Sequence, residues 1–174
     1  MDKFKTKYSG VRSFLHECVV QARRTGHVET LSGRRRRLED INHSNVARRS
    51  AAERQAVNTR VQGSAADLVK TAMVNIDTRI RDCWPQCRPL KWVEARSAGG
   101  CRWPEAETRG AWLVLQLHDE LMYEVSGEEV VRAAAVVKRG MEAAMALAVP
   151  TPVRVKVGAN WGELQDFHIS TEDT

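Results

Sequence analysis

Two apolar runs split by three polar residues constrain this chain more than any other feature. Trp112-Leu113-Val114-Leu115-Gln116-Leu117 leads into His118-Asp119-Glu120, and Leu121-Met122-Tyr123-Glu124-Val125 follows at once. Strand-forming runs this close can pair only as an antiparallel hairpin, because a parallel return needs a crossover of about a dozen residues. His118, Asp119 and Glu120 must then sit at its tight link. Carboxylates at the end of buried strands cost desolvation unless something pairs with them. Mg²⁺ is one such partner, since it takes carboxylate, phosphate and water oxygens. In phosphoryl and nucleotidyl transfer, two such ions activate the attacking hydroxyl and stabilise the leaving oxygen. A plain polar turn is the competing reading of the same three residues.

The elements around the hairpin follow from periodicity. Residues 7–25 carry Val11, Phe14, Leu15, Cys18, Val19 and Ala22 at helical spacing, with Ser9 placed to cap the start and Gly26 the end. Ser32-Gly33 between two short extended runs predicts a hairpin turn. Residues 44–61 predict a second helix, interrupted by Gly63-Ser64. A third covers 65–81, with Leu68, Ala72, Ile76 and Ile80 on one face. Residues 83–110 have neither period, hold Pro85, Pro89 and Pro104, and read as an inserted loop. Beyond the central hairpin, 127–147 predict a helix with Val130, Val131, Ala134, Val137, Met141 and Met145 inward, stopped by Pro150. Val153, Val155 and Val157 then alternate with Arg154, Lys156 and Gly158 as a half-buried strand. The fold class expected is α+β, an antiparallel sheet backed by long helices. At 174 residues one core of ordinary size is expected.

Charge is spread unevenly. Residues 1–62 hold 14 lysines and arginines against 6 aspartates and glutamates, and the remainder is slightly acidic. A basic front suits a polyanion, although a solvated surface would look the same. Two groups could meet nucleic acid. Arg54, Asn58 and Gln62 stand at i, i+4 and i+8 of one predicted helix and share a face. They combine a charged fork with groups that donate and accept, which suits sugar and base edges in a minor groove. Arg34, Arg35, Arg36 and Arg37 follow the Ser-Gly turn, and guanidinium forks suit phosphate oxygens. The first group is also readable as an ordinary solvated helix face, and the arginine run as a localisation-type basic segment or simply a solubilising one.

Other classes are excluded. No apolar run reaches the roughly 20 residues that span a bilayer. Met1-Asp2-Lys3-Phe4-Lys5 begins no secretory signal, so Cys18, Cys83, Cys87 and Cys101 are expected as free thiols. A zinc site at Cys83, Cys87 and Cys101 lacks a fourth ligand.

Read in order, four segments resemble the family A DNA polymerases. Thr25-Gly26-His27-Val28-Glu29-Thr30-Leu31-Ser32-Gly33-Arg34-Arg35-Arg36 is similar to the segment after the family's nucleotide-gripping fingers helix. Ala51-Ala52-Glu53-Arg54-Gln55-Ala56-Val57-Asn58, with Val61-Gln62-Gly63-Ser64-Ala65-Ala66-Asp67, resembles the palm helices along the primer–template. Gln116 to Glu120 resembles the family's third motif, and Gly158-Ala159-Asn160-Trp161-Gly162-Glu163-Leu164 its C-terminal end.

The resemblance implies a C-terminal palm region over residues 1–174 and template-directed nucleotidyl transfer with two Mg²⁺ ions. The partners implied are primer–template DNA and deoxynucleoside triphosphates, in nuclear DNA repair. Asp119 would bind the metals, with Glu120 beside the site in a lesser role. His118 would contact the primer terminus. Arg54, Asn58 and Gln62 would line the minor groove, and Arg34, Arg35 and Arg36 would touch the DNA backbone. The loop over 83–110 would help hold poorly annealed primer ends. The family also needs a second metal-binding aspartate and a fingers helix with a Lys and a Tyr, and both would lie ahead of residue 1. The expectation is that these 174 residues alone do not polymerise. A palm remnant that only holds DNA is the alternative.

Overall fold

A computed structural model describes residues 6–85 and 109–169. The insertion expected at 83–110 therefore lies outside the described residues except at its ends. The chain divides into two compact units, Met1–Asp67 and Leu68–Thr174. Each has its own buried cluster, where chain length alone suggests a single core.

In the first unit, α1 spans Ser9–Thr25. Ser9 does not cap it: Tyr8 holds the N-cap position and no side chain bonds there. The other end follows expectation, with Gly26 at φ 71°, a left-handed conformation glycine adopts without Cβ strain, and its N–H bonded to Ala22 O. Strands β1 (His27–Glu29) and β2 (Arg35–Arg37) pair antiparallel around a turn in which Gly33 has φ 84°. Helix α2 covers Val46–Asn58, capped by Asn45 Oδ1, which accepts from the N–H groups of Ala47 and Arg48 at 2.9 and 3.3 Å. Ala22, Val28, Leu38, Ile41, Ala52 and Ala56 close the core. Cys18 is buried nearby, and burial pushes its thiol pKa up, away from a reactive thiolate.

Gly63-Ser64 does not interrupt the helix. The chain passes from α2 into a π-helical turn, Thr59–Gly63, and on into α3, Ser64–Cys83. Asn58, Thr59 and Ser64 all keep helical dihedrals. A glycine inside a helix weakens it by about 1 kcal/mol, which tertiary contacts readily override.

In the second unit, the buried face of α3 carries Ala72, Ile76 and Ile80 as expected, with Val69 buried and the expected Leu68 only half-buried. Helix α4 is Val130–Glu142, after a 3₁₀ turn at Gly127–Glu129. Ala134 is buried and Val137 and Met141 pack against the core as expected, joined by Ala133, Ala135, Val136 and Gly140, whereas Val131 is exposed. It also stops short of 147. The Glu142 carboxylate accepts the Val153 N–H at 3.0 Å, so the chain folds back well before Pro150. A Cβ on Gly140 would run into the Ile76 side chain, so this glycine sets how closely α3 and α4 approach. Trp84, just past α3, completes the core beneath the Arg132 guanidinium, which lies 4.9 Å from its ring centroid.

Strands β3 (Ala111–Leu117) and β4 (Glu120–Val125) form the expected hairpin, and Leu121, Tyr123 and Val125 pack on the helical core. Burial, with the nearby Asp77 charge, pushes the Tyr123 pKa upward. Strand β5 (Val155–Val157) pairs with β6 (Gln165–Phe167), a strand that periodicity does not reveal. The α+β class holds, but the described strands make three separate two-stranded antiparallel ribbons.

Candidate functional site

The hairpin tip is tighter than the sequence suggests. Leu117 pairs directly with Glu120, so the link is only His118-Asp119 and Glu120 belongs to β4. His118 has φ 53°, the only positive φ at a non-glycine among the described residues. Two-residue hairpin loops need positive φ to match strand twist, and glycine or asparagine normally supplies it. A histidine there costs roughly 1–2 kcal/mol of backbone strain. Its carbonyl accepts from Gln116 Nε2 at 2.5 Å, which braces the turn from its own strand. Between Leu113 and Leu115 the register slips by one residue at Val114, a bulge that increases local twist.

Asp119 and Glu120 are both exposed, and so are Leu113, Val114, Leu115 and Leu117. The expected burial of this end of the strands is not found. The tip projects into solvent with carboxylates that need no pairing to be tolerated. Among the described residues, no three His, Cys, Asp or Glu side chains come together as a metal-binding group. A Mg²⁺ ion needs only one or two protein carboxylates beside phosphate and water oxygens. At the tip, Asp119 and Glu120 offer carboxylate oxygens from neighbouring positions.

The other candidates lie in the first unit. Arg54 and Asn58 are exposed on α2, two residues along from buried Ala52 and Ala56 and so on the far side of the helix, and Gln62 is exposed on the π turn. The arginines after Gly33 are engaged within the chain. Arg34 Nε bonds Asp67 Oδ1 at 2.8 Å and Arg34 Nη2 bonds Gly63 O at 3.2 Å. Arg35 Nε bonds Glu29 Oε1 at 2.6 Å, and Arg36 Nη1 bonds Thr59 Oγ1 at 3.2 Å. A guanidinium has five N–H donors, and all three side chains remain exposed, so each keeps donors for a phosphate.

Asp67 is a structural residue that motif reading passes over. Its Oδ2 accepts from Ser32 Oγ at 2.6 Å. The Ser32 hydroxyl first, then Thr30 and Arg34, hold its pKa down to about 2. Glu29 is likewise lowered, chiefly by the hydrogen bond from Arg35. The one sequence signal for Asp67 is its place in the first turn of a helix, where carboxylates are favoured.

Residues 1–163 match DNA polymerase family A, and the chain belongs to that family. It is 43% identical over 181 residues to DNA polymerase theta of Mus musculus, covering 97% of this chain and 7% of that protein. The same enzyme of Drosophila melanogaster is 35% identical over 97% of the chain. DNA polymerase I of Mycobacterium leprae is 36% identical over 93% of the chain, which covers 15% of that protein. Among solved structures, the polymerase domain of Pol1 from M. smegmatis, in complex with DNA primer-template and dNTP, superposes with a TM-score of 0.69 at 37% identity. The match covers 86% of this chain and 22% of that one. The chain thus spans a small part of the length of these relatives.

Proposed function

We propose that this chain is the palm segment of a theta-like family A DNA polymerase that carries out template-directed nucleotidyl transfer in nuclear DNA repair. The observation that carries this reading is the braced two-residue turn with Asp119 at its exposed tip, within a chain matched to the family over residues 1–163. Asp119 contributes one carboxylate ligand to Mg²⁺, Glu120 sits beside it, and ligands beyond these residues complete the site. His118, fixed by its left-handed backbone, contacts the primer terminus. Arg54, Asn58 and Gln62 read the minor groove of the primer–template near the incoming deoxynucleoside triphosphate. Arg34, Arg35 and Arg36 add backbone contacts through donors not spent on Asp67, Glu29 and Thr59. The 174 residues on their own do not extend a primer.

The test grafts residues 1–163 into the matching region of the mouse relative and compares Asp119→Ala with the unsubstituted graft. Primer extension should fall about a hundredfold or more, while duplex binding stays within twofold. Unchanged extension would overturn the reading. A second reading is a palm remnant that holds DNA without catalysis, through the exposed Arg54, Asn58 and Gln62. It is supported if the graft binds duplex and never extends a primer, with or without Asp119.

A further inference from the structure

The π turn at Thr59–Gly63 is held from one side by the β1–β2 hairpin. Arg60 Nη1 bonds Glu29 O at 2.8 Å, and Arg36 bonds the Thr59 hydroxyl. Ser64 sends its N–H to Val61 O rather than to Arg60 O, the partner an α-helix would give it. Its hydroxyl takes Arg60 O instead, at 2.5 Å, and accepts the N–H of Leu31 at 2.8 Å. Gly63 faces the turn so closely that a Cβ would stand 3.0 Å from Thr30 Cγ2. Arg34 reaches Gly63 O and Asp67 together, and Ser32 reaches Asp67. Thr30, Thr59 and Ser64 are all buried in this contact. On the other side of the turn, Val61 and Gln62 are exposed.

The register of the stripe follows from that clamp. In an α-helix, four residues overshoot a full turn by about 40°, so i and i+8 diverge by about 80°. Arg54, Asn58 and Gln62 would then spiral away from one another. A π turn holds more residues per turn and advances less with each one. Placed between Asn58 and Gln62, it takes back part of the overshoot and returns Gln62 toward the line of the other two.

We propose that the β1–β2 turn is a positioning device that holds Thr59–Gly63 in the π register, so that Gln62 aligns with Arg54 and Asn58 as one straight minor-groove-reading stripe. Ser64 and Asp67 are its positioning residues; neither touches DNA. This rests on the minor-groove reading of the stripe, and the two can fail separately.

The experiment uses the full chain, with backbone NMR across residues 58–65 and affinity for duplex DNA as readouts. Ser64→Ala removes the bridge inside the helix, and Asp67→Asn loosens it from the hairpin side if the first variant folds poorly. Either should shift the turn from i→i+5 toward i→i+4 connectivity and weaken duplex binding about tenfold, the scale of one lost hydrogen bond. In a Gln62→Ala background, the same substitutions should cost less than twofold more, because they act through Gln62. Persistence of the π register in both variants overturns the proposal. So does an equal loss of affinity with and without Gln62, which marks a merely structural role. If the register shifts but Gln62→Ala leaves binding unchanged, the minor-groove reading falls and the alignment has no function.

Discussion

Asp67 shows how much one side chain can gather. It accepts from a serine and an arginine that lie more than thirty positions earlier in sequence, and these donors stabilise its charged form. Its folded pKa of about 2 lies below the ordinary aspartate value near 4. A depressed pKa makes the charged form part of the folded state. Its contribution is fully present above about pH 4 and is lost as pH falls toward 2. Urea midpoints measured from pH 5 to pH 2 should separate wild type from Asp67→Asn at the upper end and converge at the lower. A gap independent of pH would mean the carboxylate charge plays no part. His118 is the opposite case: histidine enters the left-handed region more readily than most residues, but it is the two-residue link between the strands that calls for it here.

Among the elements, those set by local chemistry were legible. Gly26 ends α1, Gly33 turns the first hairpin, and the apolar runs on either side of His118 pair as their spacing demands. Elements decided by partners distant in sequence were not. The passage through Gly63-Ser64 depends on hydrogen bonds from residues 29–36, which no helix propensity encodes. The early end of α4 depends on Val153 reaching back to Glu142. Strand β6 is three residues long, too short for a period to appear. At the candidate site, residue types and spacing marked His118, Asp119 and the Arg54 stripe. The two-residue link, the bulge at Val114 and the internal partners of Arg34, Arg35 and Arg36 needed the fold. The meeting of α3 and α4 gives an element-scale prediction. Gly140→Val should destabilise the chain by about 1–3 kcal/mol in chemical denaturation, because Ile76 must leave its place. Combined with Ile76→Ala it should cost less than the sum of the two single losses, and strict additivity would show that the two do not meet.

For the molecule as a whole, the basic first stretch now has a structural setting. Several of its arginines pair with carboxylates within the chain and still face solvent. Binding to duplex DNA should weaken steeply with salt, since each phosphate contact adds about 0.9 to the logarithmic slope. Arg35→Gln, which breaks just the exposed pair with Glu29, should lower that slope by about 0.9 without changing sequence preference. An unchanged slope would remove Arg35 from the interface. No helix among the described residues is long and apolar enough to cross a membrane.

The two ends of the segment over 86–108 are secured independently of what lies between. Trp84 is sunk in the core before it. After it, Gly110 and Ser126 exchange backbone and hydroxyl hydrogen bonds, with Gly110 N to Ser126 Oγ at 3.0 Å and Ser126 N to Gly110 O at 3.2 Å. Between fixed ends, the entropic cost of a connection grows slowly with its length, by about 0.6 kcal/mol per doubling. Lineages of such a chain can therefore lengthen, shorten or rewrite this stretch with little penalty to the core, which makes it a natural place for new specificity to be tried.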